Sequence, residues 1–218
     1  MRGAELEAAV GRAVAALPDE ERPAVEAARR DLTEFLAFLI ERNTSMNLVS
    51  ARAARPALLA GTHLADALAG LPFLPPARPT PLRLLDVGSG GGFPAVPLLL
   101  VRRDIEGTLV DSVGKKCAFL SEAGARFALT LGVVNARFPG SFSMATGPFD
   151  ILTTRAVGSA GKLVRAARRV LAPGARALLW TTESLVKEAV RDGRAKSAAF
   201  HPVPGTERRG LLVLERFT

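Results

Sequence analysis

An α/β fold is predicted for this chain, with a mostly parallel sheet flanked by helices and an N-terminal helical extension. Three observations predict it. From residue 82 onward, short apolar segments alternate with helical patterns, the signature of strand–helix–strand units in a parallel sheet. The first segment, Leu82-Arg-Leu-Leu-Asp86-Val, runs directly into the glycine loop Gly88-Ser-Gly-Gly-Gly92. The next apolar segment ends in a second acid, Asp111, about 20 residues past the loop.

The elements follow in order from periodicity. A helix over residues 5–17 precedes a long one over 19–43, where Leu32, Phe35, Leu36, Leu39 and Ile40 fall on one apolar stripe. Residues 47–50 form a connection and 56–71 a third helix. The proline-rich stretch 72–81 divides the helical extension, residues 1–80, from the main domain, residues 81–218. That domain reads as strand 82–87, helix 94–103, strand 107–111, helix 115–130, strands 132–136 and 149–154, helix 160–171, strand 175–181, helix 184–191 and two terminal strands, 197–203 and 210–216. In such a sheet, ligands bind outside the carboxyl ends of the strands, where the glycine loop and Asp111 already lie.

Composition narrows the chemistry. With 218 residues and 48% hydrophobic content the chain can bury a sizeable core. The single cysteine, Cys117, excludes a disulfide framework, and with only two histidines no metal centre is expected. Cys117 reads as a buried thiol in a helix. The apolar run 95–101 is far too short to span a bilayer and the amino terminus lacks the apolar core of a signal peptide, so a cytoplasmic protein is expected, without a membrane partner. The net charge of +8 is uneven: residues 1–80 carry 9 basic and 10 acidic side chains, and residues 81–218 carry 20 and 11. A basic field on the half with the glycine loop suits a polyanionic substrate, RNA or DNA.

The loop points to an adenosine cofactor. A dinucleotide fingerprint places glycine at relative positions one, three and six; here the sixth position is Phe93. An acid two residues before the first glycine, followed by G-x-G-x-G, suits S-adenosylmethionine, whose cationic amino-acid portion acidic and carbonyl groups can hold. Asp111 is placed to accept ribose hydroxyls. NAD(P) and a purely structural glycine turn are the competing readings. Arg155 ends the strand Phe149-Asp-Ile-Leu-Thr-Thr-Arg at the same sheet edge, where it can hold substrate, shape the cofactor pocket or be an ordinary surface arginine at a strand end. Lys115 and Lys116 are either phosphate contacts or solvated lysines. His63 and Asp66 share a helix face, although spacing alone favours a satisfied histidine and an ordinary helix carboxylate.

At these residues the chain resembles a known family, the GidB/RsmG-type methyltransferases. The resemblance spans residues 40–182 and rests on Asn47-Leu48, His63 and Asp66, and the block Asp86-Val-Gly-Ser-Gly-Gly-Gly-Phe-Pro-Ala-Val-Pro97. It continues through Val110-Asp111-Ser112, Lys115-Lys116, Arg155-Ala156 and Glu207-Arg208-Arg209. It implies a Rossmann-like class I fold, S-adenosylmethionine as cofactor, and methylation of N7 of a guanine in small-subunit ribosomal RNA by a monomer acting on RNA or a ribosomal particle. It also implies that Gly88, Ser89, Gly90, Phe93, Asp111, Ser112, Ala136, Arg137 and Phe138 line the cofactor site, with Asp111 on the ribose. Arg155 would border both cofactor and transfer site, joined by His63, Asp66 and one of Arg208 and Arg209. Guanine N7 has an in-plane lone pair and no proton, so the absence of a nucleophile–base set does not count against an enzyme. The chain departs from the family pattern at Thr62 and Ala67, where an arginine and a serine are usual, and at Trp180, where the strand usually ends in lysine and glycine. A methyltransferase acting on a small molecule or protein, a drifted non-catalytic paralogue and a nicotinamide oxidoreductase are the alternatives.

Overall fold

The computed structural model describes residues 2–143, 146–155, 160–203 and 209–217. Seven strands, β1 (Leu82–Val87), β2 (Ile105–Asp111), β3 (Leu131–Asn135), β4 (Phe149–Arg155), β5 (Leu171–Thr182), β6 (Ala195–Pro202) and β7 (Arg209–Phe217), form one sheet in the order β3-β2-β1-β4-β5-β7-β6. Only β7 runs against its neighbours, pairing antiparallel with both β5 and β6. Sequence order runs outward from β1 to β2 and β3 on one side, then resumes at β4 on the other. That reversal opens a crevice at the carboxyl ends of β1 and β4.

The strands' period of two sorts their side chains between two layers. Leu84, Leu109, Ile151, Leu178 and Leu211 enter one apolar cluster, while their immediate successors Leu85, Val110, Leu152, Leu179 and Leu212 enter the other. The second is covered by α7 (Ala160–Ala167) and α8 (Glu183–Gly193) through Leu163, Val164 and Ala189. The first is covered by α5 (Ala95–Val101), α6 (Gly114–Arg126), α1 (Arg2–Ala15) and α2 (Arg22–Met46). Helix α2 starts with Pro23 in its first turn and stops at Asn47, which takes the left-handed conformation at φ 50°. Its Phe35 is fully buried and meets Phe93, which follows the glycine loop, as well as Phe119 and Phe127. Residues on both sides of the 72–81 stretch therefore share one core layer.

The third predicted helix differs in form. It runs as α3 (Pro56–Leu58), a π-helical stretch Leu59–Leu64 and α4 (Ala65–Leu68), then a separate 3₁₀ turn Leu71–Phe73. Pi segments are uncommon and cluster at functional sites; this one carries His63. Helix α6 stops at Arg126, short of the predicted 130, because Ala128 turns left-handed at φ 48°. Similarly, α7 gives way to a 3₁₀ turn at Arg168–Val170, and β5 begins four residues earlier than the pattern indicates.

Two glycines separate space from conformation. A Cβ on Gly92, whose φ is +88°, would sit 2.8 Å from Val96 Cγ2 and 3.1 Å from Phe35 Cζ, whereas one on Gly132 would meet nothing within 4 Å. Gly92→Ala is expected to lower unfolding free energy by about 2 kcal/mol or more through overpacking and left-handed strain. Gly132→Ala is expected to be neutral or slightly stabilising, and urea titration of the two variants checks the contrast.

Candidate active site

Asp86, near the end of β1, is 1% exposed. Its Oδ1 accepts a hydrogen bond of 2.7 Å from the Thr153 hydroxyl on the adjacent strand β4. Its Oδ2 is buried with no partner. Burial pushes this carboxyl up to about 6, against the pull of its hydroxyl neighbours. A half-satisfied buried carboxylate is costly to leave that way, so it marks a place where a donor from outside the chain is wanted. The loop that follows is built for close approach: Gly90 has φ +55°, and a Cβ there would find only the Gly88 carbonyl, 3.7 Å away.

Asp111, at the end of β2, closes the loop from the other side. Its Oδ2 accepts from the Gly90 amide at 2.9 Å and its Oδ1 from the Val113 amide at 2.9 Å. Each oxygen keeps further lone-pair capacity for hydroxyl donors. The Asp111 carbonyl is held by Asn135 Nδ2 at 3.0 Å and by the Ala136 amide at 3.1 Å, which draws the end of β3 to the same edge. Ala136 is buried, while Ser112 and Arg137 are exposed; the Arg137 amide bonds Ser141 Oγ and the Phe138 ring packs on Phe142. Gly88 and Ser89 donate their amides to Val110. Ser89 is buried, and its hydroxyl donates to the Asp86 carbonyl at 3.1 Å, closing the turn. The ring of Phe93 turns inward, 5.6 Å from Phe35 and 5.3 Å from His63 between centroids. Asp86, the glycine loop and Asp111 thus fit an adenosine-type cofactor with a cationic tail: an unpaired acceptor, an open backbone surface and a second carboxylate for its sugar.

Beside this seat the structure assembles the other predicted residues. Asp66, 2% exposed, accepts from Arg209 Nη2 at 2.7 Å and lies 3.2 Å from Arg155 Nη2, both on its Oδ2. Arg155 Nη1 also meets His63 Nδ1 at 3.1 Å. A guanidinium only donates, so His63 Nδ1 is the lone-pair nitrogen and its proton sits on Nε2. Burial, then the charges of Arg155 and Arg209, lower His63 to about 4, which keeps the ring neutral at pH 7. Burial also raises Asp66 and lowers Arg155, in each case against the pull of the opposite charge. Desolvation therefore outweighs the attraction, and the cluster costs stability to hold together. Asp66 thus receives two guanidiniums on a single oxygen beside the crevice.

Two contributors escape sequence reading. Thr153 and Thr154 are fully buried polar residues in β4; Thr154 Oγ1 donates to the Val87 carbonyl at 2.9 Å. Two adjacent threonines at the carboxyl end of an apolar strand are the signal that could have found them. Trp180, which pairs across the sheet with Arg155, is a core residue at 5% exposure; its indole N–H donates to the Asp66 carbonyl at 2.6 Å. Of the two candidate arginines, Arg209 reaches Asp66, and Arg208, like Ala156 and Glu207, lies outside the described residues. Cys117 is buried and its thiol is pushed up by burial, as expected for an inert core cysteine.

Comparison with known proteins agrees with this geometry. The profile of the family described as GidB, rRNA small subunit methyltransferase G, matches residues 28–202. This chain belongs to that family. It is 34% identical over 190 residues to the ribosomal RNA small subunit methyltransferase G of Coxiella burnetii (strain Dugway 5J108-111), covering 86% of this chain and 88% of the relative. The Leptothrix cholodnii protein of the same name is 39% identical over 144 residues, 66% of this chain and 64% of the relative's length. Among solved structures, a methyltransferase from Pyrococcus furiosus superposes with a TM-score of 0.59 at 14% identity, covering 72% of this chain and 84% of that one. The S-adenosylmethionine-dependent methyltransferase SibL gives 0.58 at 16% identity, covering 79% and 61%. The fold is thus the class I methyltransferase fold with its N-terminal helices added. No described helix is long and apolar enough to cross a membrane, and no cluster of metal-ligating side chains occurs among the described residues.

Two predictions follow from the buried charges. The Asp86 carboxyl, raised to about 6 from an ordinary value near 4, penalises the folded state as pH rises through that interval, by a few kcal/mol above it. His63 acts oppositely, because a folded value near 4 removes stability as pH falls below 6.5. Subtracting wild type from Asp86→Asn isolates the first effect: the stability difference should shift in the variant's favour between pH 4 and pH 7, measured by denaturant titration without ligand. Asp66→Ala strips Arg155 of its carboxylate and should cost about 3–5 kcal/mol. Arg155→Ala should cost less, since Asp66 keeps Arg209; thermal melting ranks the two.

Proposed function

We propose that this protein is an S-adenosylmethionine-dependent methyltransferase that modifies N7 of a guanine in 16S ribosomal RNA, acting as a monomer in the cytoplasm. One observation carries the reading: the seat formed by Asp86, the glycine loop and Asp111 opens beside a carboxylate, Asp66, that gathers the guanidiniums of Arg155 and Arg209, in a chain of the rRNA small subunit methyltransferase G family. A cationic cofactor tail and a polyanionic substrate are thus offered opposite charges at neighbouring places.

The cofactor, when bound, supplies an electrophilic methyl group on a sulfonium and departs as a neutral thioether. Asp86 is the acceptor for its ammonium group and Asp111 for its ribose hydroxyls, with Ala136, Arg137 and Phe138 beside its base. Guanine N7 has a free lone pair, so none of the chain's residues needs to remove a proton. The work left to the protein is alignment and electrostatics. Asp66 and neutral His63 hold the Arg155 guanidinium from two directions, which leaves it oriented in advance to donate to the acceptor-rich edge of guanine or its phosphate. His63 and Asp66 are therefore positioning residues, with Arg155 the group in contact.

The test is transfer of label from S-adenosylmethionine to small-subunit RNA lacking the modification, followed by borohydride and aniline cleavage, which reports N7-methylguanine. A single cleavage site is expected; label at an exocyclic or ribose position would contradict the N7 assignment. Asp111→Ala should lose binding of S-adenosylhomocysteine by calorimetry. Arg155→Ala should bind it normally while turnover falls on the order of 100-fold; unimpaired turnover would remove Arg155 from the site.

A further inference from the structure

Between α2 and α3 the chain makes a turn that the chemistry above does not use. From Arg42 to Ala65 the sequence contains no aspartate or glutamate, yet it carries Arg52 and Arg55. Both arginines are exposed. Most arginines in this half of the molecule sit against a carboxylate, Arg12 in α1 being another exposed one without such a partner among the described residues. Among the arginines from Arg22 to Arg78, Arg22, Arg29, Arg30, Arg42 and Arg78 each lie within 4.0 Å of a carboxylate. Arg52 and Arg55 have no such partner among the described residues.

The turn is ordered and anchored at both ends on the site. Ser50 Oγ accepts from the Ala53 amide at 3.2 Å, the Ser50 carbonyl from the Ala54 amide at 3.0 Å, and the Arg52 carbonyl from the Arg55 amide at 3.3 Å. On its amino side, the Val49 amide donates to Asn43 Oδ1 at 2.9 Å, tying the segment to α2. Val49 and the Leu48 carbonyl also pack so closely on the glycine loop that a Cβ on Gly91 would lie 3.4 Å and 3.5 Å from them. On its carboxyl side the chain passes through α3 into the π-helical stretch whose His63 meets Arg155. The turn that carries the two cations is therefore held between a segment packed on the glycine loop and the helical stretch that leads to His63, on an element outside the sheet-and-helix domain.

We infer that Arg52 and Arg55 form a phosphate clamp for the RNA strand that carries the target guanine. The inference rests on the rRNA methyltransferase reading above. Exposed guanidiniums without carboxylate partners contact phosphates without first breaking an ion pair, and each contact formed releases condensed counterions. Such contacts set where the strand lies and carry no sequence information. The extension thereby acquires a role in substrate docking alongside its role in the core.

The double variant R52A/R55A tests this, with R12A/R30A as a control of equal charge loss on exposed arginines elsewhere. Small-subunit RNA binding is measured by filter retention over a series of potassium chloride concentrations, with S-adenosylhomocysteine affinity and melting temperature as checks on the fold. The clamp predicts that R52A/R55A raises KM for RNA several-fold at unchanged kcat and flattens the log–log salt dependence by roughly 1.4, two contacts at about 0.7 each for a single strand. The control should keep the wild-type slope, and R52K/R55K should restore it. A wild-type slope and KM in R52A/R55A, with wild-type RNA methylation intact, overturns the clamp alone. Equal flattening by the control attributes the effect to net charge and also overturns it. Wild-type protein that neither binds nor methylates the RNA overturns the function and the clamp together.

Discussion

A carboxylate that its own protein cannot satisfy organises this structure. Asp86 ends the first strand beneath the topological reversal, sealed from solvent, with Thr153 on one oxygen and nothing on the other. A buried carboxylate with one oxygen unpartnered lowers apo stability and marks a place where a donor from outside the chain is wanted. The surrounding geometry follows from that demand. The loop that leaves Asp86 consists of glycines because the backbone must turn left-handed and leave its outer face clear, and Asp111 holds the loop open through the Gly90 amide.

The second constraint is the placement of charge. Asp66 joins the N-terminal helices to β4 and β7 through Arg155 and Arg209, and Trp180 fixes its backbone from β5. Four elements far apart in sequence thus meet at one residue. The convergence takes Asp66 and Arg155 out of water, which disfavours the charged form of each, and fixes the direction of the Arg155 guanidinium. The departure from the family pattern at Trp180 acquires a physical sense here: the position holds Asp66 from within the core.

Much of this was legible in the residues. Alternating strand and helix patterns gave the sheet, and the apolar stripe of α2 gave its buried face, because both are periodic signals governed by burial. The left-handed turn at Gly88 and Gly90 was readable because it depends on local backbone geometry. Spacing put His63 and Asp66 on one helix face but could not join them to Arg155, since that meeting depends on how α4 and β4 pack. Thr153 was missed because its partner is 67 residues away, and Ser89 and Phe93 carry structural contacts that the glycine pattern cannot distinguish from ligand contacts. The π-helical stretch leaves no periodic trace over six residues.

The central claim is that the turn after β1 seats a sulfonium donor between Asp86 and Asp111. A crystal structure of the protein with S-adenosylhomocysteine tests it most directly. Ligand density along Gly88–Gly92, with the sugar hydroxyls on Asp111 and the amino group occupying the open side of Asp86, is the predicted result. A crevice closed by side chains, or a ligand bound elsewhere on the molecule, would contradict it.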